Sequence, residues 1–176
     1  MIRVPPRSTQ SRSSAASDVY KRQTFLDTND IRVSGEASDS TYALAEIENH
    51  NYDAVILDLS LPGRSGLDLL KQIKNLSPSL PVLILSVFPE SQYAIRVLKA
   101  GADGYISKES HPDELIQAVR KIVTGGKYIS PTLAEKLANS LTDATQNHTH
   151  EILSDREFQT MLAIASGKTV KEIAAE

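Results

Sequence analysis

The chain has 176 residues, with 19 Lys+Arg against 22 Asp+Glu and 40% hydrophobic residues, which suits one or two small globular domains. No apolar run approaches the roughly eighteen residues a membrane helix needs, and no signal peptide with an apolar centre opens the chain. The absence of Cys removes disulfides, thiolate metal sites and thiol nucleophiles, a net charge of −3 gives no basic footprint for nucleic acid, and the pattern predicts a cytoplasmic protein with no membrane partner.

Charge is unevenly spread. Residues 1–23 carry Arg3, Arg7, Arg12, Lys21 and Arg22 against Asp18 alone, leaving 14 positive and 21 negative side chains in the other 153 residues. This opening is rich in Ser and has neither helical nor strand periodicity, the signature of a disordered leader. The run from Ser13 to Gln23 resembles a direct translation of a transposon-based sequencing-library adapter, and Met1 to Thr9 resembles its flow-cell end with Val4 as the one mismatch. On that reading residues 1–23 are non-native and stand outside the fold, and the residues after them continue an element whose beginning is missing.

Thr24-Phe25-Leu26 reads as a helix ending, Asp27 to Asp30 as a polar turn, and Ile31-Arg32-Val33-Ser34 as a short strand stopped at Gly35. A helix follows between Ser40 and Asn49, with Tyr42, Leu44, Ala45 and Ile47 on its apolar side. Ala54-Val55-Ile56-Leu57 is a continuous apolar run of the kind found in strands covered on both faces, and Asp58 stands at its carboxyl end. The alternation repeats with a helix from Gly66 to Leu76 and a strand from Pro81 to Leu85 ending at Ser86. A third round has a helix from Gln92 to Ala100 and a strand from Gly104 to Ser107 ending at Lys108, and a last helix runs from Pro112 to Val123. Strands and helices alternating at this length predict an α/β, doubly wound parallel sheet, which binds ligands outside the carboxyl ends of its strands.

Asp58, Ser86 and Lys108 occupy that edge at three successive strand ends. Singly, each has an ordinary explanation as a turn residue, a surface hydroxyl or a solvated charge. Together they offer a carboxylate nucleophile for phosphorus, a hydroxyl that can donate to a phosphoryl oxygen and a cation that neutralises the transferring group.

The run Tyr52-Asp53-Ala54-Val55-Ile56-Leu57-Asp58-Leu59-Ser60-Leu61-Pro62-Gly63 with Ser65-Gly66 resembles the phosphoacceptor segment of bacterial two-component receiver domains. Leu83 to Ser86 and Lys99 to Lys108 match the later motifs of that family, in order and spacing, over residues 31–124. The resemblance implies a flavodoxin-like receiver in which Asp58 accepts a phosphoryl group from a sensor histidine kinase, Lys108 contacts it, Ser86 closes on it and Tyr105 acts as an aromatic switch. It also implies Mg²⁺ held by an acidic pair after the first strand, by Asp58 and by the backbone carbonyl of Ser60. That strand and its acidic pair are not found in this sequence, so Asp58 alone makes a poor octahedral site, and weak Mg²⁺ binding with slow phosphate uptake, or none, is expected. Glu109 stands where the family frequently has Pro.

After Gly125-Gly126 the pattern changes. Ser130 caps a helix that Pro131 opens and that continues through Leu133, Ala134, Leu137 and Leu141, and Thr142 to His150 is a polar tether. Ser154 to Glu157 and Thr169 to Glu172 are capping boxes, the first with Leu153 and Phe158 as its staple, and Gly167 can end the helix between them. These residues resemble the opening of the helix-turn-helix of the NarL/FixJ, or LuxR-type, regulators. The expected organisation is a leader (1–23), a receiver domain lacking its first strand (24–124), a linker with a short helix (125–150) and the beginning of an all-α DNA-binding domain (151–176). From Glu151 onward there are three positive and five negative charges, so this piece alone is not expected to hold DNA.

The reading is thus a fragment of a phosphorylation-controlled transcription regulator, a phosphoacceptor rather than an enzyme, that dimerises when phosphorylated and whose intact form binds promoter DNA. The alternatives are a receiver with a protein- or RNA-binding output module, and an aspartate-nucleophile phosphohydrolase. The latter generally needs a second carboxylate two residues after the nucleophile, where Ser60 stands.

Overall fold

The computed structural model describes residues 30–59 and 65–142, with Ile2, Arg3, Thr28 and scattered positions between Glu157 and Thr169. In chain order the described elements are β1 (Ile2–Arg3), β2 (Ser34–Gly35), α1 (Ser40–Asn49), β3 (Val55–Asp58), α2 (Gly66–Leu76), β4 (Val82–Ser86), α3 (Glu90–Lys99), β5 (Gly104–Ser107), α4 (Pro112–Val123) and α5 (Pro131–Thr142).

The apolar runs of β3, β4 and β5 pair in parallel in that order. All five residues of β4 are buried, as its central place requires. On one face Val82 and Ile84 join Leu67, Leu70 and Ile73 of α2 and Ala94 and Val97 of α3, while on the other Leu83 and Leu85 meet α4. The α4 contacts come from Leu115, Ala118, Val119 and Ile122, spaced as one helical stripe, and Pro112, Asp113 and Glu114 at its start suit the positive end of its dipole. Helices thus cover both faces, as doubly wound topology demands.

Several details differ from the sequence reading. The expected strand over Ile31–Ser34 is displaced to Ser34–Gly35, which pairs antiparallel with Ile2–Arg3 in a separate two-stranded sheet. Ile31 is drawn instead into the α4-side core, with Val33 packed against it, so side-chain burial holds this stretch without a ladder. A leader without regular structure does not hold at Ile2 and Arg3, and the other residues up to Asp27 lie outside the described set. In α1, Ile47 is buried with Ala43 and Leu44 beside the core, whereas Tyr42 and Ala45 point outward, because the inward stripe runs through 43, 44 and 47. Helix α3 begins at Glu90, two residues earlier than expected, because Pro89 supplies the extended cap.

At the amino edge of the sheet a staple joins four segments. Asp103, just before β5, accepts Lys74 Nζ at 2.7 Å, Lys127 Nζ at 2.9 Å and the N–H of Val82 at 2.9 Å. Burial opposes ionisation of this carboxyl, but the hydrogen bonds from Lys74, Val82 and Lys127 outweigh it and hold the group below its ordinary range. A carboxylate depressed in the folded state adds stability that is present above its unfolded pKa of about 3.9 and is lost as pH falls through its folded value. Asp103→Asn should therefore lower the urea midpoint at pH 7 and flatten its fall below about pH 4, and parallel urea melts of both proteins at pH 7 and pH 3 check this.

Beyond α4 the chain turns at Gly125, whose φ of 84° suits glycine, and returns along the outer edge of β5. Tyr128 bridges Gly104 in parallel, its carbonyl accepting Tyr105 N–H at 3.2 Å and its own N–H donating to Asp103 O at 2.9 Å. The returning segment delivers α5 onto α3, and Leu133 in its first turn is buried in the main core. Ser130 caps α5 as its sequence predicts, accepting Leu133 N–H at 3.1 Å. Of the expected second module, Glu157, Thr160, Met161 and Ile164 lie in or beside helical turns, and Gly167 with φ of 85° accompanies the turn closed by its N–H on Ile164 O.

Candidate functional site

The register puts Asp58 opposite Leu85 and Ser86 opposite Ser107, so the last residue of β3, the last of β4 and the residue after β5 lie side by side at the carboxyl edge. Lys108 is fixed there by its own N–H, which donates to Ser86 O at 2.8 Å and prolongs the ladder by one rung. Its Nζ reaches across the end of β4 to Oδ2 of Asp58. Each of the two side chains is 19% exposed, so the pair is shielded yet open to a reagent from the edge. The predicted carboxylate and ammonium are therefore brought together from positions fifty residues apart.

Ser86 completes the edge from within. It has no exposure, and its hydroxyl accepts the N–H of Phe88 at 3.1 Å. Tyr105 is 1% exposed and turned inward, its hydroxyl donating to Phe88 O at 2.7 Å, while the Phe88 and Tyr93 rings stack with centroids 4.7 Å apart. Burial, partly offset by the Ser86 hydroxyl, pushes the Tyr105 phenol up to about 12, so it remains a neutral hydrogen-bond donor through the physiological range. The family resemblance paired Tyr105 with Ser86 as the switch that follows it. Phe88, whose peptide groups both of them hold, escaped notice because nothing in an apolar residue after a strand announces such a role. Lys108 and Glu109 are joined by a trans bond, as expected without proline.

Among the described residues no three carboxylate, His or Cys side chains group as a metal site. Asp58 is paired with Lys108, and Ser60, the expected carbonyl ligand, lies outside the described residues. Mg²⁺ generally needs one or two carboxylates besides water and phosphate oxygens in near-ideal octahedral array. The described side chains at this edge do not by themselves fit that ion.

The backbone behind Asp58 is held by α2. A Cβ at Gly66 would stand 2.6 Å from Leu59 Cα and 3.0 Å from the Asp58 and Leu59 carbonyl oxygens. These are backbone atoms and cannot swing aside. Gly66→Ala should cost about 1–3 kcal/mol and shift the phosphoacceptor position, read as a lower urea midpoint together with slower covalent labelling of Asp58. Unchanged values in both assays would refute this close packing.

A carboxylate beside an ammonium at the end of a parallel sheet, with a buried hydroxyl on the strand between, defines an edge suited to gripping a phosphoryl group. The model of the response regulator receiver domain matches residues 19–120. The chain is 33% identical over 156 residues to the response regulator UvrY of Escherichia coli K12, covering 88% of this chain and 72% of that protein. It is 39% identical over 147 residues to the transcriptional regulatory protein UhpA of the same organism, covering 84% and 69%. Among solved structures, a LuxR-family two-component response regulator from Aurantimonas superposes with a TM-score of 0.64 at 30% identity, covering 71% of this chain and 89% of that one. The chain belongs to the response regulator receiver family. Within it, these similarities place it with the two-component transcriptional regulators of the NarL/FixJ, LuxR-type class.

Proposed function

We propose that Asp58 is the phosphoacceptor, and the observation that carries this is its ion pair with Lys108 beside the buried Ser86 hydroxyl. A carboxylate oxygen of Asp58 attacks the phosphorus of a phosphohistidine on the sensor kinase, the P–N bond breaks, and the imidazole leaves with a proton from solvent. An acyl phosphate results. Lys108 Nζ neutralises charge on the transferring group, the Ser86 hydroxyl donates to one of its oxygens, and Tyr105 follows the serine as the switch. Mg²⁺, expected for the family, would need more carboxylates than the described residues bring to Asp58.

The role is that of a phosphoacceptor rather than a turnover enzyme, with any self-dephosphorylation incidental. Transcriptional relatives support a DNA-binding output acting on promoters rather than a protein- or RNA-binding one. Phosphate on Asp58 would shift an existing equilibrium toward a homodimer, in the cytoplasm where the kinase presents its phosphohistidine. We read residues 1–23 as the non-native leader, 24–124 as the receiver, 125–150 as the linker and 151–176 as the beginning of the output domain. The test is mass spectrometry of the chain after incubation with a phosphorylated kinase domain or acetyl phosphate. A base-labile phosphate on Asp58 supports the proposal, and label confined to any other residue overturns it.

A further inference from the structure

Ser86 and Tyr105 hold the two peptide groups of one residue. The Ser86 hydroxyl accepts Phe88 N–H and the Tyr105 hydroxyl donates to Phe88 O, so the turn leaving β4 is pinned from both sides. Two residues on, Glu90 opens α3, and its carboxylate reaches the start of α5. There Oε1 accepts Ser130 N–H at 3.3 Å and Oε2 accepts the Ser130 hydroxyl in a short contact. That hydroxyl also accepts Leu133 N–H at 3.1 Å, so one side chain both caps α5 and ties it to α3. Leu133 and Ile129 then seat the helix against the core cluster that contains Tyr93 and Tyr105.

These contacts form a continuous mechanical path from the phosphoacceptor edge to the helix that leads out of the receiver. A rotation of the buried Ser86 side chain about its Cα–Cβ bond toward a group on Asp58 would carry its oxygen away from Phe88 N–H. The Phe88 peptide then loses one of its two holds, and Glu90 begins two residues later, too near to remain indifferent. We propose that Glu90 and Ser130 are positioning residues that form a latch, through which docking of α5 on α3 and the present arrangement of the Ser86–Phe88 turn stabilise each other. This builds on the phosphoacceptor role assigned above. Because such coupling is reciprocal, a change that frees the turn weakens docking by the same factor as undocking frees the turn.

The test uses the whole chain and needs no phosphate. Amide hydrogen exchange is followed by mass spectrometry with fragmentation to single residues in the wild type, Ser130→Ala, Glu90→Ala, their double variant, Tyr105→Phe, the Tyr105→Phe/Ser130→Ala double variant and Ser130→Thr. Either latch substitution should speed exchange over residues 131–142 by about fivefold or more, the lower end of ordinary coupling energies, and should speed the Phe88 amide as well. The double variant should go no further than the singles, and Ser130→Thr, which keeps the hydroxyl, should restore protection. Tyr105→Phe should speed exchange over 131–142 in the wild type and add nothing when Ser130 is already Ala. Unchanged amides in β4 and α4 verify that each variant is folded. If Ser130→Ala loosens only α5 and leaves the Phe88 amide at its wild-type rate, Ser130 is merely a cap and the latch is refuted. A chain that shows the exchange pattern yet carries its phosphate on a residue other than Asp58 refutes the function proposed above and leaves the latch standing.

Discussion

Asp58→Asn should abolish covalent phosphate uptake, from whatever rate the wild type shows to background. The amide is nearly isosteric and its oxygen can still receive the Lys108 ammonium, so the fold should survive. Its lone pair is delocalised and its nitrogen is not a nucleophile, so no acyl phosphate can form. Lys108→Ala poses the complementary question. It keeps the nucleophile but removes the cation that lies against it, and the uptake rate should fall by a factor of about 10² or more, the scale on which removing one electrostatic stabiliser acts. Phosphate counted by intact-mass measurement at several times gives both rates. Equal uptake by wild type and Asp58→Asn would place the chemistry elsewhere.

Ile84→Ala should be the most destabilising of the single substitutions considered. Ile84 lies at the middle of the central strand with no exposure, in contact with the cluster that joins α2 and α3 to the sheet. Truncation removes three carbons where neighbouring strands and helices are already closely packed and cannot collapse into the space. The expected cost is about 2–5 kcal/mol, against a total margin of about 5–15 kcal/mol for a domain of this kind. Urea unfolding followed by far-ultraviolet circular dichroism should show a clearly lower midpoint with little change in slope. A shift below about 0.5 kcal/mol would mean that this strand is not the packed centre of the molecule.

Much of this architecture was legible in the chain because its signals are local. The apolar runs 54–57, 81–85 and 104–107 announce buried strands by composition alone, and their polar terminal residues mark the reactive edge without any knowledge of packing. Helix ends were equally plain where Pro112 and Pro131 stand. What could not be read depends on partners distant in sequence. Ile31-Arg32-Val33-Ser34 alternates as a strand should, yet Ile31 satisfies its hydrophobicity against α4, and the ladder forms one step later with Ile2 and Arg3. Tyr42 looked like a core residue, but the inward stripe of α1 passes it by. Glu90 lay outside the helix expected from Gln92, and nothing local in the chain pointed to its grip on Ser130 forty residues away.

The staple at Asp103 has a mechanical consequence. Lys127 donates both to that carboxylate and to Ala102 O at 3.0 Å, and Tyr128 is bonded to the edge of β5, so the root of the segment leading to α5 is anchored at the rim opposite the phosphoacceptor. A helix released at Ser130 would not drift free. It would swing about a fulcrum only a few residues behind it, and a small displacement at one rim would become a wide arc for whatever the helix carries.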